Sequence, residues 1–258
     1  MTTDFGTRDS YVAQMAGVLL SQGPAELRLV HLSHELPAQD VRSAALFLRQ
    51  AVPRFPEGTV HLAVIDPGVG GARRAVAVAL GGQALVGPDN GIFGWLLDGS
   101  ERAVELAPER LASGPISSTF HGRDLFAPAA ARLAAGVQLE TLGTAADSLI
   151  RLPWPRPLRD GRGSLGEIVH VDHFGNLITN LTPADLPATT DAARVYLGER
   201  PIGTLVAHYA AVARGQLAAL IGSDDLLEIA ERDGDAACRT GARVGDAVRV
   251  EAPGSPEG

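Results

Sequence analysis

Short apolar runs alternate with amphipathic segments through the first half of the chain. Val60–Ile65 and Ala75–Leu80 are rich in β-branched and small residues, which predicts two buried strands. Apolar residues recur with helical spacing over 11–20, 41–52 and 125–135, and Asp40 is placed to cap the second of these helices. We also expect a strand over 27–32 and a short helix over 92–97. This alternation predicts a layered α/β domain with a mostly parallel sheet.

The pattern changes at Leu152–Pro157, where three prolines in alternation predict an extended linker. Beyond it, short apolar runs separated by turn residues predict strands at 166–171, 193–197, 204–209, 218–221 and 247–250. These are typical of a smaller antiparallel β-domain that resembles a barrel. We therefore expect an N-terminal α/β domain at 1–152, a linker at 153–165 and a C-terminal β-domain at 166–258.

Composition narrows the classes of function. The chain has 258 residues, a formal net charge of −8 and 22 scattered Lys and Arg residues, which disfavours nucleic acid as a partner. Cys238 is the only cysteine, so neither an intrachain disulfide nor a Cys-based zinc site can form. The polar start and the lack of an apolar run of about 20 residues predict a cytoplasmic protein that does not insert into a membrane.

The segment between the two central strands concentrates charge and glycine. Asp66-Pro-Gly-Val-Gly-Gly-Ala-Arg73-Arg74 carries one acid, two arginines and three glycines. Glycine has no Cβ, so such a loop can bring its backbone close to a ligand. Taken alone, the loop fits a structural turn with solvated charges better than a binding loop.

Other polar clusters allow both a chemical and a structural interpretation. Asp4 follows a short strand at a position where a carboxylate can hold the hydroxyls of a ribose, although it could also cap a turn. His121 lies in the loop before a helix, where an imidazole could handle protons, or the segment could be a surface loop in which Asp124 caps the helix. Phe174 and Asn176 could contact a base, or they could fill a tight turn. The segment Gly87–Gly91 fits a structural turn best.

Two other kinds of site are disfavoured. His170, Asp172 and His173 are close in sequence, but on a strand they would not all share one face, and no zinc motif is present. We therefore expect no metal. The glycines of the 66–74 loop lead into a strand rather than a helix, which disfavours a dinucleotide-binding motif.

The clusters together, in this order, resemble the S-adenosylmethionine (SAM) hydroxide adenosyltransferases, also called adenosine-forming SAM hydrolases, which are relatives of the fluorinases and chlorinases. The resemblance rests on six segments between Thr3 and Asn180: 3–6, 34–41, 66–70, 86–93, 118–127 and 174–180. It implies hydrolysis of SAM to adenosine and L-methionine with no cofactor. The family's catalytic Asp-Arg-His set falls on Asp66, Arg73 and His121, with Arg74 as an adjacent alternative.

The resemblance also implies binding roles and an assembly. Asp4 corresponds to the ribose carboxylate, and Asp172 and Ser223 correspond to residues near the methionine amine and carboxylate. Phe120, Phe174 and Asn176 are similar to adenine-pocket residues. In this family the site lies between subunits of a trimer, so a homotrimer is implied. Halide transfer from SAM and non-catalytic sensing of SAM or adenosine are the alternatives, and Gly122, which replaces the halide-contacting serine of the relatives, disfavours the first.

Overall fold

The computed structural model describes residues 1–112, 114–160, 163–187 and 193–252. The chain divides into two units, Met1–Pro153 and Trp154–Gly258, and each has its own sheet and its own hydrophobic core. Within the segment expected to be a linker, 158–159 and 163–165 are strand residues, and 161–162 lie outside the described residues.

The described residues of the first unit form six strands and four α-helices. In chain order they are β1 (Thr2–Thr3), α1 (Tyr11–Gln22), α2 (Val41–Ala51), β2 (Val60–Val64), β3 (Ala75–Leu80), β4 (Gln83–Pro88), β5 (Arg102–Leu106), α3 (Pro108–Leu111), α4 (Ala127–Ala134) and β6 (Gly143–Ala145). A 3₁₀ turn at Val52–Arg54 follows α2, a π-helical segment at Gly122–Phe126 leads into α4, and a 3₁₀ turn at Leu139–Leu142 precedes β6.

The six strands form one mixed sheet in the order β1-β2-β4-β3-β5-β6. The strands β1, β2 and β4 run parallel, as expected for an α/β domain. The remaining neighbours pair antiparallel, and one of these pairs, β3 with β4, is joined by a tight turn at Gly81–Gly82 in which both glycines have positive φ. The α/β class is confirmed, and the β3-β5-β6 half of the sheet is its antiparallel part.

Side chains of the central strand β2 enter two different cores. Leu62 and Val64 join a cluster that includes residues of α1 and α4, whereas Ala63 packs in a cluster that includes residues of α2. Successive strand residues point to opposite faces, so a strand covered on both faces is mostly apolar. The apolar run Leu62–Ile65, in which no residue is more than 2% exposed, is therefore typical of a three-layer domain.

The predicted helices over 11–20 and 41–52 are confirmed with small shifts at their ends, and Asp40 caps α2 by accepting from the backbone N–H of Ser43 at 2.9 Å. Two elements predicted in the first unit are wrong. Residues 27–32 form no strand, and only Ser33, just beyond them, makes a bridge to Thr2. Residues 92–97 form successive turns rather than a helix.

Eight strands and one short helix are found in the described part of the second unit. They are β7 (Leu158–Arg159), β8 (Gly163–Val171), β9 (Leu177–Thr179), β10 (Arg194–Leu197), β11 (Arg200–Thr204), β12 (Leu217–Ile221), β13 (Leu227–Glu231), α5 (Ala236–Thr240) and β14 (Ala247–Glu251). Their sheet has the order β11-β10-β14-β8-β9-β13-β12, and β7 pairs with β8.

This second sheet is antiparallel and nearly closed. Every pairing between its named strands is antiparallel, and Leu205, directly after β11, forms a bridge to Ala219 of β12. That bridge brings the two ends of the strand order together, so the expected barrel-like fold is confirmed. The strand predicted at 204–209 is wrong, because β11 ends at Thr204 and Tyr209 begins a 3₁₀ turn.

Candidate functional site

The loop that follows β2 lies closely against the segment that precedes His121. Gly70 has a φ of 75°, and a Cβ built there would lie 2.2 Å from the carbonyl oxygen of Ser118. No side chain fits in that space, and L-residues rarely adopt this backbone conformation. The glycine therefore permits two loops that are distant in sequence to meet at the carboxyl end of β2.

Arg73 joins Asp66 to His121 in this region. Its Nε donates to Asp66 Oδ1 at 2.9 Å and to Oδ2 at 3.0 Å, and its Nη2 donates to Oδ2 as well. The same Nη2 lies 2.9 Å from Nδ1 of His121. The side chains of Arg73 and Asp66 are 10% and 5% exposed, so this is a largely desolvated ion pair with an imidazole attached.

The contact with Arg73 determines the protonation state of His121. An arginine only donates hydrogen bonds, so Nδ1 of His121 accepts and the imidazole proton resides on Nε2. Burial, followed by the nearby positive charge of Arg73, lowers the pKa of His121, while Asp66 and Asp124 act in the opposite direction. His121 is therefore a neutral imidazole at neutral pH, with a donor at Nε2.

The guanidinium of Arg73 also packs against an aromatic ring. Its Cζ lies 5.1 Å from the centre of the Phe126 ring, which is completely buried. Phe126 ends the π-helical segment that begins directly after His121. One local element thus supplies both the imidazole and an aromatic face for the cation, which fixes the orientation of Arg73.

The neighbouring arginine belongs to a different network. Arg74 Nε donates to Asp89 Oδ2 at 3.0 Å, and Asp89 in turn accepts from the backbone N–H of Ile150 at 2.8 Å. In the same turn, Asn90 Nδ2 donates to the carbonyl of Ile65 at 2.9 Å. Arg74 and the 87–91 turn therefore tie structural segments together, and of the two adjacent arginines only Arg73 contacts Asp66 and His121.

Two further predicted residues lie in the first unit. Asp4 follows β1 directly, and its Oδ2 accepts from the backbone N–H of Gln39 at 2.7 Å. Phe120 is 9% exposed and belongs to an aromatic cluster with Phe5 and Tyr11, and Arg123 lies 5.0 Å from its ring centre. Phe120 is thus more enclosed by its own chain than a free stacking surface would be.

The predicted cluster in the second unit is a single tight turn. Asp172 Oδ1 accepts from the backbone N–H groups of Phe174 and Asn176, each at 2.8 Å, and its Oδ2 accepts from Asn176 Nδ2 at 2.9 Å. Gly175 has a φ of 80°. The turn holds the Phe174 ring 72% exposed, whereas Asn176 is buried.

Ser223 lies apart from that turn in the chain, on the connection between β12 and β13, and it is exposed. Glu228 packs against Gly222 of this connection. It is 7% exposed and accepts a hydrogen bond from the Tyr209 hydroxyl. Burial raises the pKa of Glu228, and the negative charges of Asp172 and Asp224 add to the effect. Sequence analysis missed this pair, because a glutamate in a strand carries no motif.

The structure thus brings Asp66, Arg73 and His121 into direct contact, and it brings Asp172, Phe174 and Asn176 into one turn. Within the described residues, no group of three or more His, Cys, Asp or Glu side chains is arranged to hold a metal ion. Over the same residues, no helix has the length and apolarity needed to cross a bilayer.

The protein combines an α/β domain with a barrel-like β-domain that follows it in the chain. The α/β domain presents a linked carboxylate, guanidinium and imidazole at the end of a buried strand, and this combination is that of a two-domain enzyme. Two family models match the chain in that order. The SAM hydroxide adenosyltransferase N-terminal domain matches residues 1–143, and the corresponding C-terminal domain matches residues 166–249. The chain belongs to the SAM hydroxide adenosyltransferase family.

Individual relatives cover nearly the whole chain. An (R)-S-adenosyl-L-methionine hydrolase of Salinispora tropica is 42% identical over 97% of this chain and 96% of its own length. A protein of the same name from Thermus thermophilus is 44% identical over 96% of this chain and 97% of its own length. The crystal structure of an uncharacterized conserved protein from Thermotoga maritima superposes with a TM-score of 0.88, at 32% identity, over 97% of this chain and 98% of that one.

Proposed function

We propose that this protein is an enzyme that hydrolyses SAM to adenosine and L-methionine. The observation that carries the proposal is the contact of one guanidinium, that of Arg73, with both Asp66 and His121. Membership in the hydroxide adenosyltransferase family and the hydrolase names of the two relatives support the same reaction.

The proposed reaction needs an activated water and no assistance to the leaving group. The water oxygen forms a bond to the ribose C5′, and the C5′–S bond breaks with its electron pair going to sulfur. Sulfur changes from a sulfonium to the neutral thioether of methionine, so no acid has to protonate it. Water is a weak nucleophile until it is deprotonated or held in line, and that is the task left to the protein.

The hydrogen bonds favour Asp66 as the group that receives the proton. Nδ1 of His121 is occupied by the Arg73 donor and Nε2 already carries a proton, so the imidazole has no free site for another one. A carboxylate oxygen keeps accepting capacity beyond the bonds from Arg73. In this mechanism Asp66 takes the proton, the Nε2–H of His121 orients the oxygen, and Arg73 stabilises its hydroxide character.

Substrate binding is proposed to use six further residues. Asp4 would hold the ribose hydroxyls, and Asp172 and Ser223 would contact the methionine portion. The adenine ring would contact the residues Phe120, Phe174 and Asn176. The exposure of Phe174, held on a turn fixed by Asp172, supports a role as a stacking surface. SAM is the only small molecule required, with no cofactor and no metal.

We further propose a cytoplasmic homotrimer with the active site at the subunit interface. An aromatic ring of which 72% is exposed on a rigid turn, as for Phe174, supports a surface that is covered in the assembly. Sedimentation or light scattering of the purified protein gives the oligomeric state, and a monomer at micromolar concentration would contradict the trimer.

The reaction is tested with purified protein and SAM in ¹⁸O-labelled water. We expect equal amounts of adenosine and methionine, with the label on the 5′ oxygen of adenosine. Adenosine without label would contradict attack by water. A 5′-halo-adenosine formed in the presence of chloride or fluoride would indicate halide transfer instead. SAM that stays bound and intact after hours would indicate a sensor.

The pair Gly122 and Met15 provides a structural reason to expect water rather than halide. A Cβ added at Gly122 would lie 3.0 Å from Met15 Sδ and 3.3 Å from Phe120 Cε2. A side chain at this position would press on Met15 and Phe120, so the packing favours glycine, which supplies no hydroxyl. A Gly122→Ser variant should hydrolyse SAM more slowly without gaining halide transfer.

A further inference from the structure

The turn that carries Asp4 makes three hydrogen bonds to the segment 33–34. The backbone N–H of Thr3 donates to the carbonyl of Ser33 at 3.0 Å, and that of Gly6 donates to the carbonyl of His34 at 2.7 Å. Between them, the Thr3 hydroxyl lies 2.8 Å from Nδ1 of His34. Thr3 is completely buried and His34 is 6% exposed, so these are interior contacts rather than surface ones.

Counting donors and acceptors assigns a direction to the side-chain contact. The backbone N–H of Phe5 donates to the Thr3 hydroxyl at 3.3 Å, and His34 Nδ1 is the acceptor available to the hydroxyl proton in the part of the chain that the structure describes. Nδ1 then accepts, so the proton of His34 resides on Nε2 and is donated to Nδ1 of His31 at 2.6 Å. Burial lowers the pKa of His34, which agrees with this neutral form.

His34 also begins the loop that holds the carboxylate of Asp4. At the far end of this loop Gln39 adopts a φ of 65°, unusual for a residue with a side chain, and its backbone N–H donates to Asp4 Oδ2. The next residue, Asp40, is fixed as the cap of α2. The loop 34–40 is thus anchored at both ends, and a strained backbone position between the anchors directs an N–H at Asp4.

We propose that His34 is a positioning residue for ribose recognition: through the Thr3 hydroxyl and the loop 34–40, it sets the orientation of the Asp4 carboxylate toward the two hydroxyls of a nucleoside. This inference rests on the proposed function, which assigns the ribose to Asp4. His34 itself touches no substrate in this arrangement.

The test measures binding of two nucleosides by calorimetry, adenosine and 2′,3′-dideoxyadenosine, so that it does not depend on turnover. Replacing His34→Leu removes the acceptor for the Thr3 hydroxyl, and we expect adenosine to bind about tenfold more weakly, because the Asp4 carboxylate is then no longer held in the orientation that the ribose hydroxyls require. The affinity for dideoxyadenosine, which lacks the hydroxyls, should not change. In kinetic assays the same variant should raise KM for SAM with little change in kcat.

Two further variants separate positioning from general loss of structure. His34→Asn keeps an oxygen acceptor near the position of Nδ1, and it should restore adenosine binding to within about threefold of the wild type. His61→Leu is the matched control, because His61 is also a buried histidine of this unit, 4% exposed and bonded to Gln83. It should leave the affinities for both nucleosides unchanged. If His34→Leu does not fold, Thr3→Val removes the same hydrogen bond from the other side.

The outcomes distinguish this inference from the proposed function. An equal loss for both nucleosides, or no loss for adenosine, would overturn the positioning role while SAM hydrolysis by the wild type would still stand. A wild-type protein that neither hydrolyses SAM nor binds adenosine would overturn both. A loss confined to adenosine, reversed in His34→Asn, would support the role of His34.

Discussion

Two carboxylates that follow strands, Asp66 after β2 and Asp172 after β8, are held in opposite ways. Asp66 is paired with Arg73, which also contacts His121, a residue 48 positions further along the chain from that arginine. The carboxylate of Asp172 accepts three hydrogen bonds from its own turn, given by Phe174 and Asn176. The first carboxylate needs the folded domain around it, whereas the second needs only its four following residues.

The different surroundings of Asp66 and Asp172 suit the two carboxylates to different roles. A carboxylate in a desolvated pair with an arginine and a neutral imidazole is suited to chemistry, because its surroundings are fixed before the substrate arrives. A carboxylate that satisfies its own backbone is suited to shaping a loop, in this case one that displays Phe174. We therefore expect changes at Asp66 to act on kcat and changes at Asp172 to act on stability and KM.

The largest effect is expected for Asp66→Asn. The amide keeps the shape of the side chain but cannot take a proton from water, so kcat should fall by about a thousandfold, in the range for loss of a general base. Steady-state assays with SAM measure the change, and the circular dichroism spectrum should remain that of the wild type. A kcat within tenfold of the wild type would remove Asp66 from the proton transfer.

Arg73→Lys and Arg74→Lys form a matched pair on adjacent residues. A lysine ammonium is a compact point charge and cannot reproduce the fork that bonds Asp66 at two atoms and reaches His121, so Arg73→Lys should lower kcat by about a hundredfold. Arg74→Lys, which alters the structural pair with Asp89, should lower the melting temperature but leave kcat within about threefold. Equal losses of kcat in both variants would contradict the separation of the two networks.

Asp172→Ala should affect stability and substrate affinity more than the chemical step. Loss of three hydrogen bonds in one turn should lower the free energy of unfolding by about 2 kcal/mol and raise KM for SAM by about tenfold. Asp185→Ala is the control, since Asp185 also bonds its own turn, to Thr182, in the same unit. It should destabilise the protein without changing KM, and a matching rise in KM would show that the effect at Asp172 is not specific.

The smallest effect concerns pH. Because the pKa of His121 is lowered, the imidazole stays neutral through pH 7, and kcat should decline only below the usual histidine range near about 6.5. The negative charge of Asp124 raises that pKa, so Asp124→Asn should move the acid limb to lower pH. Rate profiles between about pH 5 and 8 measure the acid limb of the wild type and that of the variant. A limb that moves to higher pH in Asp124→Asn would contradict the electrostatic assignment.

The contrast between local and tertiary contacts also explains what the sequence could reveal. The cap of α2 by Asp40 and the turn at 172–176 depend on residues within four positions of each other, so capping chemistry predicts the first directly and turn chemistry offers the second as one of two alternatives. The α/β class follows from the apolar run in β2 for the same reason. The family resemblance then added the long-range grouping of Asp66 with His121.

Contacts between distant segments could not be obtained from the pattern of residues. The choice of Arg73 over Arg74 depends on which guanidinium meets His121, and both arginines have the same local chemistry. The segment 27–32 has the apolar residues of a strand, but it passes β1 with a bridge only at Ser33. The contact between Thr3 and His34 spans 31 positions and involves residue types that occur in any loop.

The alternating burial of β2 has a consequence for how this protein can vary over evolution. Leu62 and Ala63 pack into cores on opposite sides of one sheet, and neither side chain is more than 2% exposed. A substitution at either position must be accommodated by the helical layer that it faces, and the strand as a whole is constrained from both sides, so neutral drift in this strand should be slower than in the helices that cover it. The carboxylate of Asp66 therefore lies just beyond a strand that is constrained from both of its faces.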